Sequence, residues 1–120
     1  MLEGLSDVLL RLDAAVLAME GPAAEATVAI VVDHAIASML RSVPVDTGEL
    51  MESIHDEDAS GPGLVARRLI AGTDHAIYPE YGTSKMKAQP YFRPPLHVAE
   101  AELPKVAREM FPRIVPGMTR

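Results

Sequence analysis

The chain has 120 residues and a mass of 12.9 kDa, is 48% hydrophobic and carries a formal charge of −6. That length makes one domain with a modest core, burying roughly two-thirds of the surface its unfolded chain exposes, and the apolar fraction excludes a wholly disordered chain. The absence of cysteine excludes disulfides, thiolate zinc sites and cysteine nucleophiles, and the acidic balance argues against a generic nucleic-acid binder, which needs cations to displace phosphate counterions.

Residues 2–20 read as a helix, because Leu2, Leu5, Leu9, Leu12 and Val16 recur at helical spacing. Glu3, Asp7, Asp13 and Glu20 interrupt this segment, so it does not read as a signal peptide. No apolar run approaches the roughly 20 residues of a membrane span, and the expected compartment is the cytosol. Gly21-Pro22 breaks the run. A second helix is expected over 22–42, with Pro22 in its first turn. Its stripe is Ala24, Val28, Val31, Ala35 and Met39, with Ile36 and Leu40 beside it. The run Val28 to Val32 is apolar on nearly all sides, which suits deep packing or an interface. His34 within it reads as a structural residue. Pro44 ends the helix.

Val45-Asp46-Thr47-Gly48-Glu49-Leu50 then combines turn and capping residues. Leu50, Ser53 and Ile54 lead into the acidic stretch Asp56-Glu57-Asp58. Ser60-Gly61-Pro62-Gly63 is a strong turn signal, Leu64 to Ala71 has strand character, and Gly72-Thr73-Asp74 is a second turn. Ala76-Ile77-Tyr78 and Tyr81 suggest another strand or an extended arm, completing an antiparallel meander. Gly82 to Pro90 reads as an extended loop, followed by Tyr91-Phe92-Arg93-Pro94-Pro95. A final helix is expected over 95–111, with Leu96, Ala99, Leu103, Val106 and Met110 as its apolar stripe. Pro104 should kink or split it, and the tail Pro112 to Arg120 should fray. No repeat or low-complexity tract is present.

Charge is divided unevenly. Residues 1–63 hold twelve acids and two bases, and residues 64–120 hold nine bases and five acids. Such asymmetry suits copies packed head to tail, or two solvated faces of a monomer. All five aromatics lie at or after Tyr78.

Candidate chemistry is sparse. His34, His55, His75 and His97 contain no pair at the i, i+4 spacing of a helical metal site. His55 and His75 with neighbouring acids make a metal-dependent hydrolase the weakest of the readings. Glu49, Glu52, Asp56, Glu57 and Asp58 are carboxylates of the kind used in acid–base work or on a hard cation, but they do not match a calcium loop, and the run reads as a solvated face. Gly82-Thr83-Ser84-Lys85 lacks the full phosphate-loop pattern. Ser53, Ser60 and Ser84 stand in no nucleophile elbow. No catalytic residue, cofactor or metal site is therefore expected, and the chain does not read as an enzyme. Arg67, Arg68, Lys85, Lys87 and Arg93 lie near Tyr78, Tyr81, Tyr91 and Phe92 in sequence. That mixture over 67–93 suits single-stranded nucleic acid or a protein interface, and the overall acidity favours the interface.

Two blocks carry a family resemblance. The first is Pro44-Val45-Asp46-Thr47-Gly48-Glu49-Leu50 with Ser53-Ile54. The second is Tyr78 to Met86, continued by Ala88-Gln89-Pro90-Tyr91-Phe92-Arg93-Pro94. With the opening Gly4-Leu5-Ser6-Asp7, they resemble a bacteriophage tail-component family named for gene product ten of an HK-type lambdoid phage. The resemblance runs over about residues 4–110. Pro79 and Pro95 depart from the family's pattern, and Pro79 implies an edge or extended arm.

The resemblance implies an α+β fold: a long N-terminal helix packed on a small antiparallel sheet, a Pro-rich loop and a C-terminal helix, in a single domain spanning 1–120. It implies a structural virion protein, expected in the virion neck and in the host cytoplasm during assembly. The expected partners are copies of itself in a ring of six, head connector or stopper proteins, tail tube or terminator proteins, and genomic DNA passing through ungripped, with no membrane. The motif residues Asp46, Thr47, Gly48, Leu50, Tyr78, Glu80, Tyr81, Gly82, Thr83, Lys85, Tyr91, Phe92, Arg93 and Pro94 are then structural or interfacial. Asp46 and Thr47 would brace the turn, Glu80 would pair with Arg93 or Lys85, and Tyr91 and Phe92 would anchor the loop. Local charge alone, not the resemblance, makes Glu49, Glu52, Asp56, Glu57 and Asp58 candidates for acids that face the lumen of such a ring and repel phosphate.

Overall fold

The structure, a computed structural model, describes residues 12–44, 48–73 and 76–114. Strand β1 (Leu12–Met19) opens it, followed by helix α1 (Ala24–Ser42) and the short helix α2 (Glu49–Ser53). Strands β2 (Ile54–Asp58) and β3 (Val65–Ala71) come next, then the short helix α3 (Ile77–Tyr81) and the long helix α4 (Arg93–Ile114). The three strands form an antiparallel sheet in the order β1-β3-β2. The α+β class is as expected. No described helix is long and apolar enough to cross a membrane.

Helix α1 follows its apolar stripe. Ala24, Val28, Val31, Val32, Ala35 and Met39 are buried against the sheet and α4. The Val43 N–H closes the last turn on the Met39 carbonyl, and Pro44 stops the helix there. One stripe position is polar: Thr27 is fully buried and its hydroxyl has no hydrogen-bond partner. An unmade buried hydrogen bond costs about 1–3 kcal/mol. Thr27→Val is therefore expected to raise unfolding stability by about 1 kcal/mol in a denaturant titration; a loss of stability would show that the hydroxyl has a partner.

The β2–β3 hairpin forms around the turn signal at 60–63. Ile54, Asp56 and Asp58 lie opposite Ala71, Leu69 and Arg67. The face turned to α1 carries the buried Ile54, Leu69 and Ala71, continued on β1 by Leu17. The other face carries Val16, Ala18, His55, Glu57 and Arg68, all exposed.

Three expectations are corrected. Residues 12–19 are a strand, not part of a helix; 2–11 lie outside the described residues. A short apolar run fits either period, and here the open edge of β3 decides it. Residues 77–81 are a helical turn rather than a strand, with Pro79 at a third position that gives up no intrahelical hydrogen bond. Helix α4 is not split at Pro104 and continues to Ile114, beyond the expected end at 111; residues 115–120 lie outside the described residues. Pro104 is exposed, so the carbonyl it leaves without a donor faces water.

Candidate functional site

The second sequence block folds around one carboxylate. Glu80, on α3, is only 3% exposed. Its Oε1 accepts the N–H groups of Tyr91 (3.0 Å) and Phe92 (2.9 Å), and its Oε2 accepts the N–H of Arg93 (3.0 Å). The first turn of any helix leaves N–H groups without partners. Here Glu80 takes the donors at 91–93, Pro94 and Pro95 have none to satisfy, and the Leu96 N–H reaches the Phe92 carbonyl at 3.2 Å. The carboxylate also sits at the positive end of the α4 dipole. Within the chain Glu80 thus does not pair with the side chains of Arg93 or Lys85, one of the expected pairings. The Arg93 guanidinium lies over the Tyr81 ring, 5.3 Å from its centroid.

Tyr91 and Phe92 anchor the loop in the core, as expected. Both are essentially fully buried, packed edge to face with centroids 6.3 Å apart. The Tyr91 hydroxyl donates to the Ala76 carbonyl at 2.9 Å. Burial, and then the Glu80 charge, push its ionisation far above the ordinary phenol range, so it stays a donor. Tyr78 and Tyr81 are exposed.

Between these anchors the chain projects residues 83–90, every one exposed. Thr83 and Met86 exchange backbone hydrogen bonds across a tight turn holding Ser84 and Lys85. The Thr83 hydroxyl accepts the Lys85 N–H at 3.2 Å. The Gln89 N–H returns to the Pro79 carbonyl at 2.6 Å. Gly82 is the pivot, at φ 82° and ψ 169°, a region open essentially to glycine alone. The result is a short arm with fixed ends, Lys85, Met86 and Lys87 at its outer part and Pro94 just inside α4.

The first block makes a corner. Gly48 precedes α2 with φ 85°, again a glycine conformation. Leu50 and Ile54 are buried. The Ser53 hydroxyl donates to the Leu50 carbonyl at 2.7 Å and accepts the Gly72 N–H at 3.2 Å, tying α2 to the end of β3. Asp46 and Thr47 lie outside the described residues.

The acids do not share one face. Arg67 pairs with Asp56 at 2.8 Å and approaches Asp58 at 3.7 Å, on the α1 side of the sheet. Hydrogen bonds from Ser60, then the charge of Arg67, favour the carboxylate form of Asp58 and hold its pKa below the usual value. Glu57 is on the opposite face, 3.1 Å from His55 Nε2. The Ser53 carbonyl, 2.8 Å from His55 Nδ1, and Glu57 hold the imidazole's ionisation above its usual value. Glu49 and Glu52 lie on α2. Sequence reasoning missed the commitment of Arg67 to two carboxylates, although the hairpin turn and strand alternation contain the register that makes it. His34 bridges α1 to Glu102 on α4 at 3.3 Å, and His97 approaches Glu100 at 3.4 Å. His75 lies outside the described residues. Among the described residues no group of three or more His, Asp or Glu is placed to hold a metal ion.

No protein-family model, curated protein or solved structure matches the chain.

Proposed function

We propose that the chain is a structural component of the head–tail interface of a long-tailed phage, a prophage or a gene-transfer particle. It forms a ring, joins tail to head and lets DNA pass. The supporting observation is how the second block is spent. Glu80, Gly82, Tyr91, Phe92 and the two prolines all serve to hold an exposed, ordered arm outside a small core. A shaped projection with buried roots is what a subunit contact requires, because a partner then meets a surface already ordered.

The burial of Tyr91 and Phe92 and the pairing of Arg67 remove three groups that single-stranded nucleic acid would need for stacking and charge. In the ring reading, the acids that repel DNA include the exposed Glu57 and the part-exposed Glu52, neither of which pairs with Arg67.

Disrupting the gene in its own particle-producing background tests the proposal. Filled heads and unattached tails are expected in micrographs, rescued by the intact gene. Normal complete particles would overturn the reading. Titration with single-stranded DNA at about 0.15 M salt is expected to show no binding; micromolar binding that falls steeply with salt would point to a nucleic-acid module instead.

A further inference from the structure

A groove of about 740 Å³ runs between α1 and the tip of the β2–β3 hairpin. Its accessible apolar surface comes from Ala29, Val65 and the exposed Leu64, lying over the buried Val28 and Val32. Four carboxylates line it, Glu25, Asp33, Asp56 and Asp58, against the single guanidinium of Arg67. Arg67 is used on Asp56 and Asp58. Glu25 and Asp33 are exposed and have no ion-pair partner among the described residues. The groove therefore offers an apolar base under a negative rim.

The arm presents the converse. Met86 is 40% exposed at a tight turn and is flanked by Lys85 and Lys87, both exposed and without an ion-pair partner among the described residues. One unbranched, adaptable apolar side chain between two cations matches an apolar floor between carboxylates.

Within one chain the arm contributes no residue to the groove's lining. The groove lies at the Val65 end of β3, beside Gly61 and Leu64. The arm leaves from α3, which follows the Ala71 end. Six strand steps, about 20 Å, separate those ends. Each copy thus has an acidic receiving end and a basic inserting end. A contact between unlike ends is heterologous, the kind that closes into a ring or continues as a filament.

We infer that the Lys85-Met86-Lys87 arm of one copy seats in the Glu25/Asp33 groove of a second copy and joins the copies head to tail. The occupant is a second copy because both halves of the contact are on this chain, are opposite in charge and are set at opposite ends. The inference rests on the ring reading and adds its contact.

The chain has no cysteine, so single cysteines report the contact cleanly. Chains with Lys85→Cys or Lys87→Cys are mixed with chains carrying Glu25→Cys or Asp33→Cys and treated with a short bismaleimide at concentrations up to the solubility limit. Arm–groove dimers are expected well above the arm–arm and groove–groove background of each variant alone. Lys85→Glu/Lys87→Glu should weaken association about tenfold or more, and adding Glu25→Lys/Asp33→Lys to the same chain should restore it. Dimers no more abundant than background overturn the contact, as do oligomers indifferent to charge reversal. Micrographs separate the two readings. Rings without arm–groove links sink the contact and leave the ring, whereas linked open chains that never close keep the contact and sink the ring.

Discussion

Replacing Glu80 by alanine is expected to cost about 4 kcal/mol of unfolding stability, with Tm lower by roughly 20 °C. The change strips one acceptor from three consecutive N–H groups, those of Tyr91, Phe92 and Arg93. Two of the three bonds are buried, beyond the reach of water. Each donor left unmade costs about 1–3 kcal/mol, and the penalties are not fully additive. Glu80→Gln separates charge from hydrogen bonding. Its amide oxygen can keep the pair at Tyr91 and Phe92, but its NH₂ would face the Arg93 N–H. A smaller loss of about 2 kcal/mol is expected. The order alanine worse than glutamine, read from denaturant midpoints with unchanged slopes, checks the assignment. Equal effects would show that charge alone matters; negligible effects would show that the carboxylate does not hold the loop. Total stabilities of about 5–15 kcal/mol make the alanine change severe for so small a domain.

The second large effect is expected at Gly82. A Cβ there would lie 2.9 Å from the Ala88 nitrogen and 3.1 Å from the Met86 carbonyl oxygen. Both neighbours are backbone and cannot swing aside like a side-chain end. The backbone region itself costs a non-glycine residue about 1–3 kcal/mol. Gly82→Ala should therefore lose about 3 kcal/mol and loosen the arm. Tryptic cleavage after Lys85 and Lys87 should accelerate relative to the native chain. If stability falls while cleavage is unchanged, the strain is being absorbed elsewhere. If neither moves, Gly82 is not the pivot.

Much of the fold was legible in residue order. The stripe Ala24 to Met39, bounded by Pro22 and Pro44, marked α1 within two residues of its observed ends. Leu96, Ala99, Leu103 and Val106 marked the body of α4, and Ser60 to Gly63 marked the hairpin. The anchoring role of Tyr91 and Phe92 came from the second block of the resemblance rather than from spacing or composition. What escaped was decided by partners distant in sequence. Leu12 to Met19 suits a helical spacing, yet it pairs as a strand once β3 supplies a ladder, with Val16, Leu17 and Ala18 exposed, buried and exposed in turn. Glu80 looked like a surface acid seeking a cation, because the cap it provides acts 11–13 residues downstream. One signal was available. Phe92 stands at the start of α4, where a Ser, Thr, Asp or Asn would ordinarily accept the first donors, so an acceptor from elsewhere was required.

The order β1-β3-β2 also sets a sequence of events in time. The β2–β3 hairpin joins neighbours through a short turn and can close within microseconds. Strand β1 must find β3 across about fifty residues, against its own helical leaning, so its closure entropy comes late. Local preference and final pairing disagree there, the kind of conflict that sequences with smooth landscapes mostly avoid. The sheet should therefore assemble from β2 toward β1 and open in reverse, with the amides of Leu12–Met19 exchanging with solvent before those of β2 and β3.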